Sequence, residues 1–225
     1  MAAQIIFWRH GQTDWNIQQR FQGSSDIPLN AVGEFQVDHA AKELAAIAPV
    51  KIVSSDLGRA KRTADALAKI VNLPVTTDQR LRETHGGPWE GRTGAENREI
   101  DGENFVAWLQ GADIKAGGTG ESRSDVARRM RESVMEHIEG VDGPVVFASH
   151  GGAIRCGIGA ILDWPQAMWG QIAILSNACW SILELSPRQE VPVWLLAEHN
   201  AGTLPEPSLG NENLPTTKVR SSHFS

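Results

Sequence analysis

Two histidines occupy matching places in the sequence, each at the end of an apolar run and directly before a glycine. The run before His10 reads IIFWR, and the run before His150 reads VVFAS. Short apolar runs that end in glycine-containing polar segments are typical of buried strands that enter loops. If the two strands belong to one parallel sheet, both histidines emerge at its carboxyl edge, where open α/β sheets bind their ligands.

The residues around these histidines suit a phosphate ester. Arg9 precedes the first histidine, and Arg59 lies in the first turn of a predicted helix. Arginine presents a rigid fork of donors that matches phosphate oxygens, and it keeps its charge at any working pH. Gly11 and Gly151 let backbone N–H groups approach an anion closely, and the helix N-termini that follow favour one. These residue types therefore predict a phosphate-binding site.

Histidine extends the prediction from binding to catalysis. An imidazole nitrogen can attack phosphorus and so divide one difficult displacement into two easier steps. The alkoxide of a sugar or glycerate is a poor leaving group and needs a proton, which a carboxylic acid near the pocket can supply. Glu83, in the charged and glycine-rich stretch RLRETHGG, is the candidate for that acid.

The elements that must position these residues alternate between strand and helix, which predicts an α/β fold with a mostly parallel sheet. Apolar residues at helical spacing predict a helix over about 33–48 and another from Leu57 to Val71, whose caps are offered by Ser54-Ser55-Asp56. Ser122 and Asp125 form the pattern of a capping box before a further helix. Strands are predicted at 5–8, 51–53, 75–77, 144–148, 178–185 and 192–197.

The length and composition predict one globular domain. With 225 residues, of which 41% are hydrophobic, the chain can bury a sizeable core. No long linker divides residues 1–204, so we interpret them as one domain. Residues 205–225 are rich in Pro, Asn, Ser and Thr and are expected to form a tail with little regular structure.

Charge and cysteine content restrict the partners and the compartment. The formal net charge of −6 disfavours nucleic acid and an anionic membrane as partners, whereas a local arginine cluster can still bind a small anion. The N-terminal residues show no signal-peptide pattern, and no apolar run is long enough to span a membrane. Cys156 and Cys179 are expected to be buried and unpaired. We therefore expect a cytoplasmic protein.

Four blocks in this order resemble the histidine phosphatase superfamily, which includes the cofactor-dependent phosphoglycerate mutases. The blocks are RHGQTDWN at 9–16, IVSSDLGRAKRTA at 52–64, RLRETHGGPWEG at 80–91 and SHGG at 149–152. The resemblance covers about residues 4–200 and implies a three-layer α/β/α fold like that of phosphoglycerate mutase. It implies that His10 becomes the phosphohistidine and that Arg9 and Arg59 bind the phosphoryl group. It further implies that Glu83 donates the proton and that His150 holds the phosphoryl oxygens in the transition state.

The same resemblance places further residues around the substrate. Asn16, Gln22 and Gly23 occupy positions that line the pocket in relatives. His85, close to Glu83, is a candidate for substrate contact, and a hydrogen bond within its loop is an equal alternative. Relatives need no metal and are often dimers. The chain also lacks HExxH, EF-hand and Walker patterns, so we expect no cofactor, a small phosphorylated substrate and a homodimer.

Hydrolysis, mutase activity and phosphate binding without turnover are the three alternatives. The LNERHYG-like block of the mutases is replaced by LRETHGG at 81–87, and the chain contains no tyrosine, which favours hydrolysis. Segments such as GESRSDVARR at 120–129 and NACW at 177–180 look most like the phosphatases of glycosylated 3-phosphoglycerate. A regulatory protein without turnover is disfavoured, because such proteins generally lose the nucleophile or the acid, and both are present here.

The remaining histidines, tryptophans and arginines are interpreted mainly as structural. His137 lies within a predicted helix and is expected at the surface, and His199, at the end of a strand, is expected to have a structural role. Trp15 and Trp89 flank the blocks and form either an apolar rim for a sugar or part of the core. The arginines of the helix at 122–139 are expected on a solvated face.

Overall fold

A computed structural model describes residues 4–186 and 192–202, which form a sheet covered by helices. Its strands are β1 (Gln4–Arg9), β2 (Lys51–Ser54), β3 (Val75–Thr77), β4 (Pro144–Ser149), β5 (Trp180–Leu185) and β6 (Trp194–Ala201). They make one six-stranded sheet in the order β3-β2-β4-β1-β5-β6. The first four strands are parallel, and β5 pairs antiparallel with β1 and with β6. The predicted mostly parallel α/β sheet is confirmed.

The helices cover both faces of this sheet. They are α1 (Asp14–Ile17), α2 (Ala31–Ala45), α3 (Gly58–Val71), α4 (Gly94–Leu109), α5 (Arg123–Ile138) and α6 (Gly151–Ile161). In β1, Ile6 and Trp8 pack into a buried cluster with α2 and α3, whereas Ile5 and Phe7 pack into another with α5 and α6. Because successive side chains of a strand point to opposite faces, this alternation gives the three predicted layers.

The pairing of β1 with β4 brings the two His-Gly sequences together. These strands are parallel neighbours, and Arg9 lies opposite Ser149 at their carboxyl ends. His10 directly follows β1, and His150 directly follows β4. Just beyond, the chain passes so close to α2 that a Cβ on Gly11 would lie 2.5 Å from the carbonyl oxygen of Gly33. The sheet edge is thus packed tightly where the histidines emerge.

Some element ends differ from the sequence predictions. Ser54-Ser55-Asp56 do not cap α3, and Asp26 Oδ1 instead accepts the backbone N–H of Gly58 at 2.8 Å. A capping carboxylate that comes from a distant loop leaves no local sequence signal, which is why the prediction was wrong. The capping box of Ser122 and Asp125 is confirmed at α5.

Both cysteines are buried and free, as expected. Within the described ranges, no helix has the length and apolar character needed to cross a bilayer. The predicted tail at 205–225 lies outside the described residues.

Candidate active site

His10 and His150 lie side by side at the carboxyl edge of the sheet. Their ring centroids are 5.2 Å apart, and both side chains are buried. Burial and the charge of Arg59 lower the pKa of both rings well below the ordinary value of 6.5. At neutral pH each ring is therefore an uncharged imidazole, which is the form that can act as a nucleophile.

A backbone carbonyl orients the ring of His10. Nδ1 lies 2.6 Å from the carbonyl oxygen of Gly11, which can only accept a hydrogen bond. Nδ1 must therefore carry the proton of the neutral ring, and Nε2 keeps the lone pair. This tautomer leaves Nε2 as the nitrogen that can form a new covalent bond.

His150 is held in the opposite tautomer. Arg59 donates from Nε to Nδ1 of His150 at 3.2 Å, so the proton of the neutral ring lies on Nε2. That nitrogen is 2.9 Å from the hydroxyl oxygen of Ser55 and donates to it. Ser55, predicted only as a helix cap, is thus a member of the site.

Arg59 and Arg9 bring positive charge to the buried histidines. Arg59 is fully buried, and it donates to the carbonyl oxygens of Ser25 and Gly23 at 2.6 and 2.9 Å. Burial lowers the pKa of Arg59 to about 10, although the negative charge of Glu83 acts to raise it. The guanidinium therefore remains charged at neutral pH. Arg9 is also buried and donates from Nη1 to the carbonyl oxygen of Leu175 at 2.6 Å.

The carboxylate of Glu83 is held by backbone N–H groups. Its oxygens accept from Thr84 at 2.8 Å and from Gly152 and Ala153 at 2.9 Å each. Gly152 and Ala153 belong to the first turn of α6, whose unpaired N–H groups favour an anion. The helix that follows His150 therefore fixes the carboxyl group beside the histidines.

An arginine-carboxylate pair, Arg129 and Glu121, holds the loop that carries Glu83. Arg129 of α5 donates to the carbonyl oxygens of Arg80 at 2.7 Å, Arg82 at 2.6 Å and Glu83 at 3.1 Å. It also makes a bidentate pair with Glu121 at 2.7 and 2.9 Å. The expectation of a solvated arginine face on this helix was wrong for Arg129, because its partners lie on a loop distant in sequence.

Arg123 of the same helix is also buried, contrary to the prediction. Its guanidinium lies 4.3 Å from the ring centroid of Trp108 and donates to the carbonyl oxygen of that residue at 2.6 Å. Arg128, by contrast, has 68% of its side chain exposed, as expected.

These groups surround a cavity of about 250 Å³. Most of the predicted site residues line it, namely Arg9, His10, Asn16, Gln22, Gly23, Arg59 and Glu83. His150, Gly11 and Gly151 are buried next to these residues and do not line the cavity themselves. The N–H of Gly11 donates to the hydroxyl of Thr63 at 3.3 Å, and a Cβ on Gly151 would lie 2.6 Å from the side chain of Ile174. Both glycines are thus required for close packing behind the cavity.

His85 points away from this cavity. It is exposed and lines a separate depression with Arg82 and Ser24. Its backbone N–H donates to Glu121 Oε2 at 2.9 Å, which joins the loop of His85 to the segment before α5.

One further residue, His137, differs from its sequence prediction, whereas Trp89 and His199 have roles that the sequence analysis allowed. His137 is not at the surface, because its side chain is only 14% exposed and lies 3.3 Å from Asp78. Trp89 is fully buried in a small cluster with Phe105, so it belongs to the core and forms no rim. His199 has the expected structural role, with hydrogen bonds to Ser181 and to a backbone carbonyl.

Several cations and donors thus converge on one small space beside a neutral imidazole and a carboxyl group. Such a site can bind a phosphate dianion, transfer it to nitrogen and protonate a leaving group. Among the described residues, no cluster of three or more His, Cys, Asp or Glu side chains could hold a metal ion.

Comparison with known proteins gives consistent similarities. The pattern of the histidine phosphatase superfamily (branch 1) matches residues 5–197. A glucosyl-3-phosphoglycerate phosphatase of Mycobacterium tuberculosis is 40% identical over 192 residues, covering 81% of this chain and 85% of that protein. A probable phosphoglycerate mutase of Salmonella arizonae is 34% identical over 183 residues, covering 78% of this chain and 81% of that protein. The solved mycobacterial glucosyl-3-phosphoglycerate phosphatase in complex with VO3 matches with a TM-score of 0.83 at 38% identity, covering 89% of this chain and 100% of that one.

Proposed function

This chain belongs to the histidine phosphatase superfamily, and on that basis we propose that it hydrolyses a phosphorylated glycerate or sugar, such as glucosyl-3-phosphoglycerate, through a phosphohistidine. The enzyme is a phosphoric monoester hydrolase, like the phosphatases to which it is similar in sequence and structure. The observation that supports the mechanism most is that two neutral histidines lie side by side and that one of them, His10, lines the same cavity as Arg59 and Glu83.

In the first proposed step, Nε2 of His10 attacks phosphorus while the bond to the ester oxygen breaks. Arg9 and Arg59 neutralise the phosphoryl oxygens, and His150 turns its Nε2–H from Ser55 to one of them. Glu83 then gives its proton to the ester oxygen, and the alcohol leaves.

In the second proposed step, a water molecule attacks phosphorus and the bond from phosphorus to His10 breaks. Glu83, now a carboxylate, takes a proton from that water. Inorganic phosphate leaves, and both His10 and Glu83 return to their starting protonation states. One carboxyl group thus serves both steps, as acid and then as base.

Hydrolysis is favoured over mutase activity by two observations. LRETHGG at 81–87 departs from the LNERHYG-like block expected of the mutases. The phosphatase relative is also more similar to this chain, at 40% identity, than the probable mutase, at 34%. The proposed substrate comes from that phosphatase relative, and its phosphate, carboxylate and sugar groups suit a cavity lined by arginines and aromatic rings.

We further propose that the chain is a single-domain enzyme of the cytoplasm and forms a homodimer. Two free, buried cysteines support a reducing compartment. Strand β6 is at the edge of the sheet, and Leu195 on it is 48% exposed. An exposed edge strand of this kind offers backbone groups and apolar surface to a second subunit.

Phosphate release measured with EDTA present tests the proposed function. The substrates are glucosyl-3-phosphoglycerate, 3-phosphoglycerate and p-nitrophenyl phosphate. We expect release from all three and the highest kcat/KM for the glucosylated substrate. Conversion of 3-phosphoglycerate to 2-phosphoglycerate without net release would establish a mutase, and no reaction with any substrate would contradict the proposal.

A further inference from the structure

We propose that a second cavity, beside the one that holds the phosphate, binds the neutral polyhydroxylated part of the leaving group, such as a hexosyl unit. Its hydrogen-bonding residues are Asn97, in the wall of the second cavity, and Trp108, in the adjoining wall of the phosphate cavity. This inference rests on the proposed phosphatase function and names the part of the substrate that decides specificity. The second cavity has a volume of about 380 Å³ and is called the leaving-group cavity below.

The leaving-group cavity shares a wall with the phosphate cavity. Both are lined by Arg9, Asn16, Arg20, Phe21 and Ile174. The two cavities therefore adjoin each other. A group bonded to the ester oxygen of a phosphate held by Arg9 is thus directed toward the leaving-group cavity. His10 lines the smaller cavity and not the larger one, which suits a substrate whose leaving group is larger than its phosphate.

The walls of the leaving-group cavity combine aromatic rings with neutral amides. Trp15, Phe21 and Phe105 supply ring surface, and Asn16, Gln19 and Asn97 supply amides. No carboxylate is among its lining residues in the described part of the chain. Arg20 contributes a positive charge in addition to that of Arg9. Rings that cover C–H surface together with amides that bond hydroxyls are what a sugar requires, and Arg20 suits the carboxylate of a glycerate.

Asn97 supplies a polar atom without a partner. The side chain is fully buried in α4, and its Nδ2 donates to the carbonyl oxygen of Trp89 at 3.4 Å. That carbonyl only accepts, so the amide nitrogen must face it, and Oδ1 is the free end. Oδ1 has no hydrogen-bond partner among the described residues. Buried polar atoms are nearly always paired, so an unpaired acceptor in a cavity wall indicates a ligand donor.

Two more unpaired atoms lie in the wall of the phosphate cavity. Trp108 Nε1 and Gln22 Oε1 are buried and have no partner within the described ranges. Trp108 is held rigidly between the ring of Phe21, at 5.6 Å, and the guanidinium of Arg123, at 4.3 Å. One donor and two acceptors on adjoining walls match the hydroxyls of a sugar, each of which both donates and accepts.

Replacing Asn97 with a side chain of similar size tests the inference. In Asn97→Leu we expect kcat/KM for glucosyl-3-phosphoglycerate to fall by roughly tenfold or more, because a site built to bond hydroxyls loses its acceptor. For p-nitrophenyl phosphate and 3-phosphoglycerate we expect values within about twofold of the wild type, because neither has a sugar. The thermal midpoint is expected to change little, since the long hydrogen bond from Nδ2 to Trp89 is lost together with the unpaired Oδ1.

Trp108→Phe is the second variant, because it keeps an aromatic ring between Phe21 and Arg123 and removes the unpaired N–H together with the five-membered ring that carries it. It should show the same selective loss. Asn104→Leu, at an exposed position of the same helix, is the matched control and should leave all three substrates unchanged.

Equal losses on all substrates, or no loss with the glucosylated one, would overturn the leaving-group cavity. A wild-type enzyme that releases phosphate from all three substrates without preferring the glucosylated one would also overturn it, while leaving the phosphatase function intact. Absence of phosphate release from every substrate would instead refute the proposed function itself.

Discussion

At the scale of single residues, hydrogen bonds decide which atom of each histidine can react. The carbonyl of Gly11 fixes the proton of His10 on Nδ1, and Arg59 fixes that of His150 on Nε2. Both rings are buried, and the low pKa of each keeps it neutral. The two histidines are therefore not equivalent, which supports the proposal that His10 is the nucleophile and His150 the hydrogen-bond donor.

The proposed proton transfer from Glu83 predicts a substrate-dependent effect of Glu83→Gln. The amide keeps the shape of the side chain but cannot donate an acidic proton. We expect kcat for 3-phosphoglycerate to fall by about 10² to 10⁴, the usual range for general acid catalysis. Phosphorylation by p-nitrophenyl phosphate should be affected much less, because p-nitrophenolate leaves without protonation. Rapid-quench measurement of alcohol release gives both rates, and equal losses would show that Glu83 only positions the phosphate.

The histidines, Arg9, Arg59 and Glu83 could be predicted from the sequence because each sits in a short local pattern. The histidines and arginines lie at the end of a strand or the start of a helix, and Glu83 lies in a charged, glycine-rich stretch. Ser55 and Arg129 could not. Ser55 had a plausible local role as a helix cap, and Arg129 had a plausible one on a solvated face. Their actual partners are 95 residues away for Ser55 and 46 or more residues away for the loop carbonyls that Arg129 holds.

At the scale of elements, the site depends on three supports around one sheet edge. The register of β1 with β4 places the histidines together, α6 supplies the N–H groups that hold Glu83, and α5 holds the loop before it through Arg129. The strands were predictable because their apolar runs are short and clearly bounded. Every predicted strand is present in the structure, and only the first and last residues of the strands differ. The cap of α3 and the burial of Trp89 and His137 depend on tertiary contacts, which periodicity does not encode.

Because Arg129 of α5 binds the carbonyl oxygens of Arg82 and Glu83, Arg129→Gln is expected to displace the acid without removing it. We predict a loss of roughly tenfold to 10² in kcat for 3-phosphoglycerate, with KM nearly unchanged. Phosphorylation of the enzyme by p-nitrophenyl phosphate, followed as the burst of p-nitrophenolate, should stay within about threefold, since this leaving group needs no acid. Arg128→Gln, at the exposed neighbouring position, is the matched control and should behave as the wild type. A parallel loss on both substrates would mean that Arg129 has only a structural role.

At the scale of the whole molecule, the net charge and the charge of the site have opposite signs. The chain carries a formal net charge of −6, yet Arg9 and Arg59 are buried beside the histidines. Charges on the outer surface are screened over about 8–10 Å, so the local pair dominates the field that a phosphate meets. The composition therefore predicted which partners to exclude, whereas the site itself could only be found from local motifs.

The central claim is that the phosphoryl group passes through Nε2 of His10, and direct detection of that bond tests it best. The wild-type enzyme is mixed with p-nitrophenyl phosphate, quenched within milliseconds in alkali, which preserves phosphohistidine, digested, and mapped by mass spectrometry. We expect one phosphoryl group on the peptide that contains His10, and none anywhere in His10→Ala, which should fold but not turn over. A phosphoryl group on His150, or full hydrolysis by His10→Ala, would contradict the account.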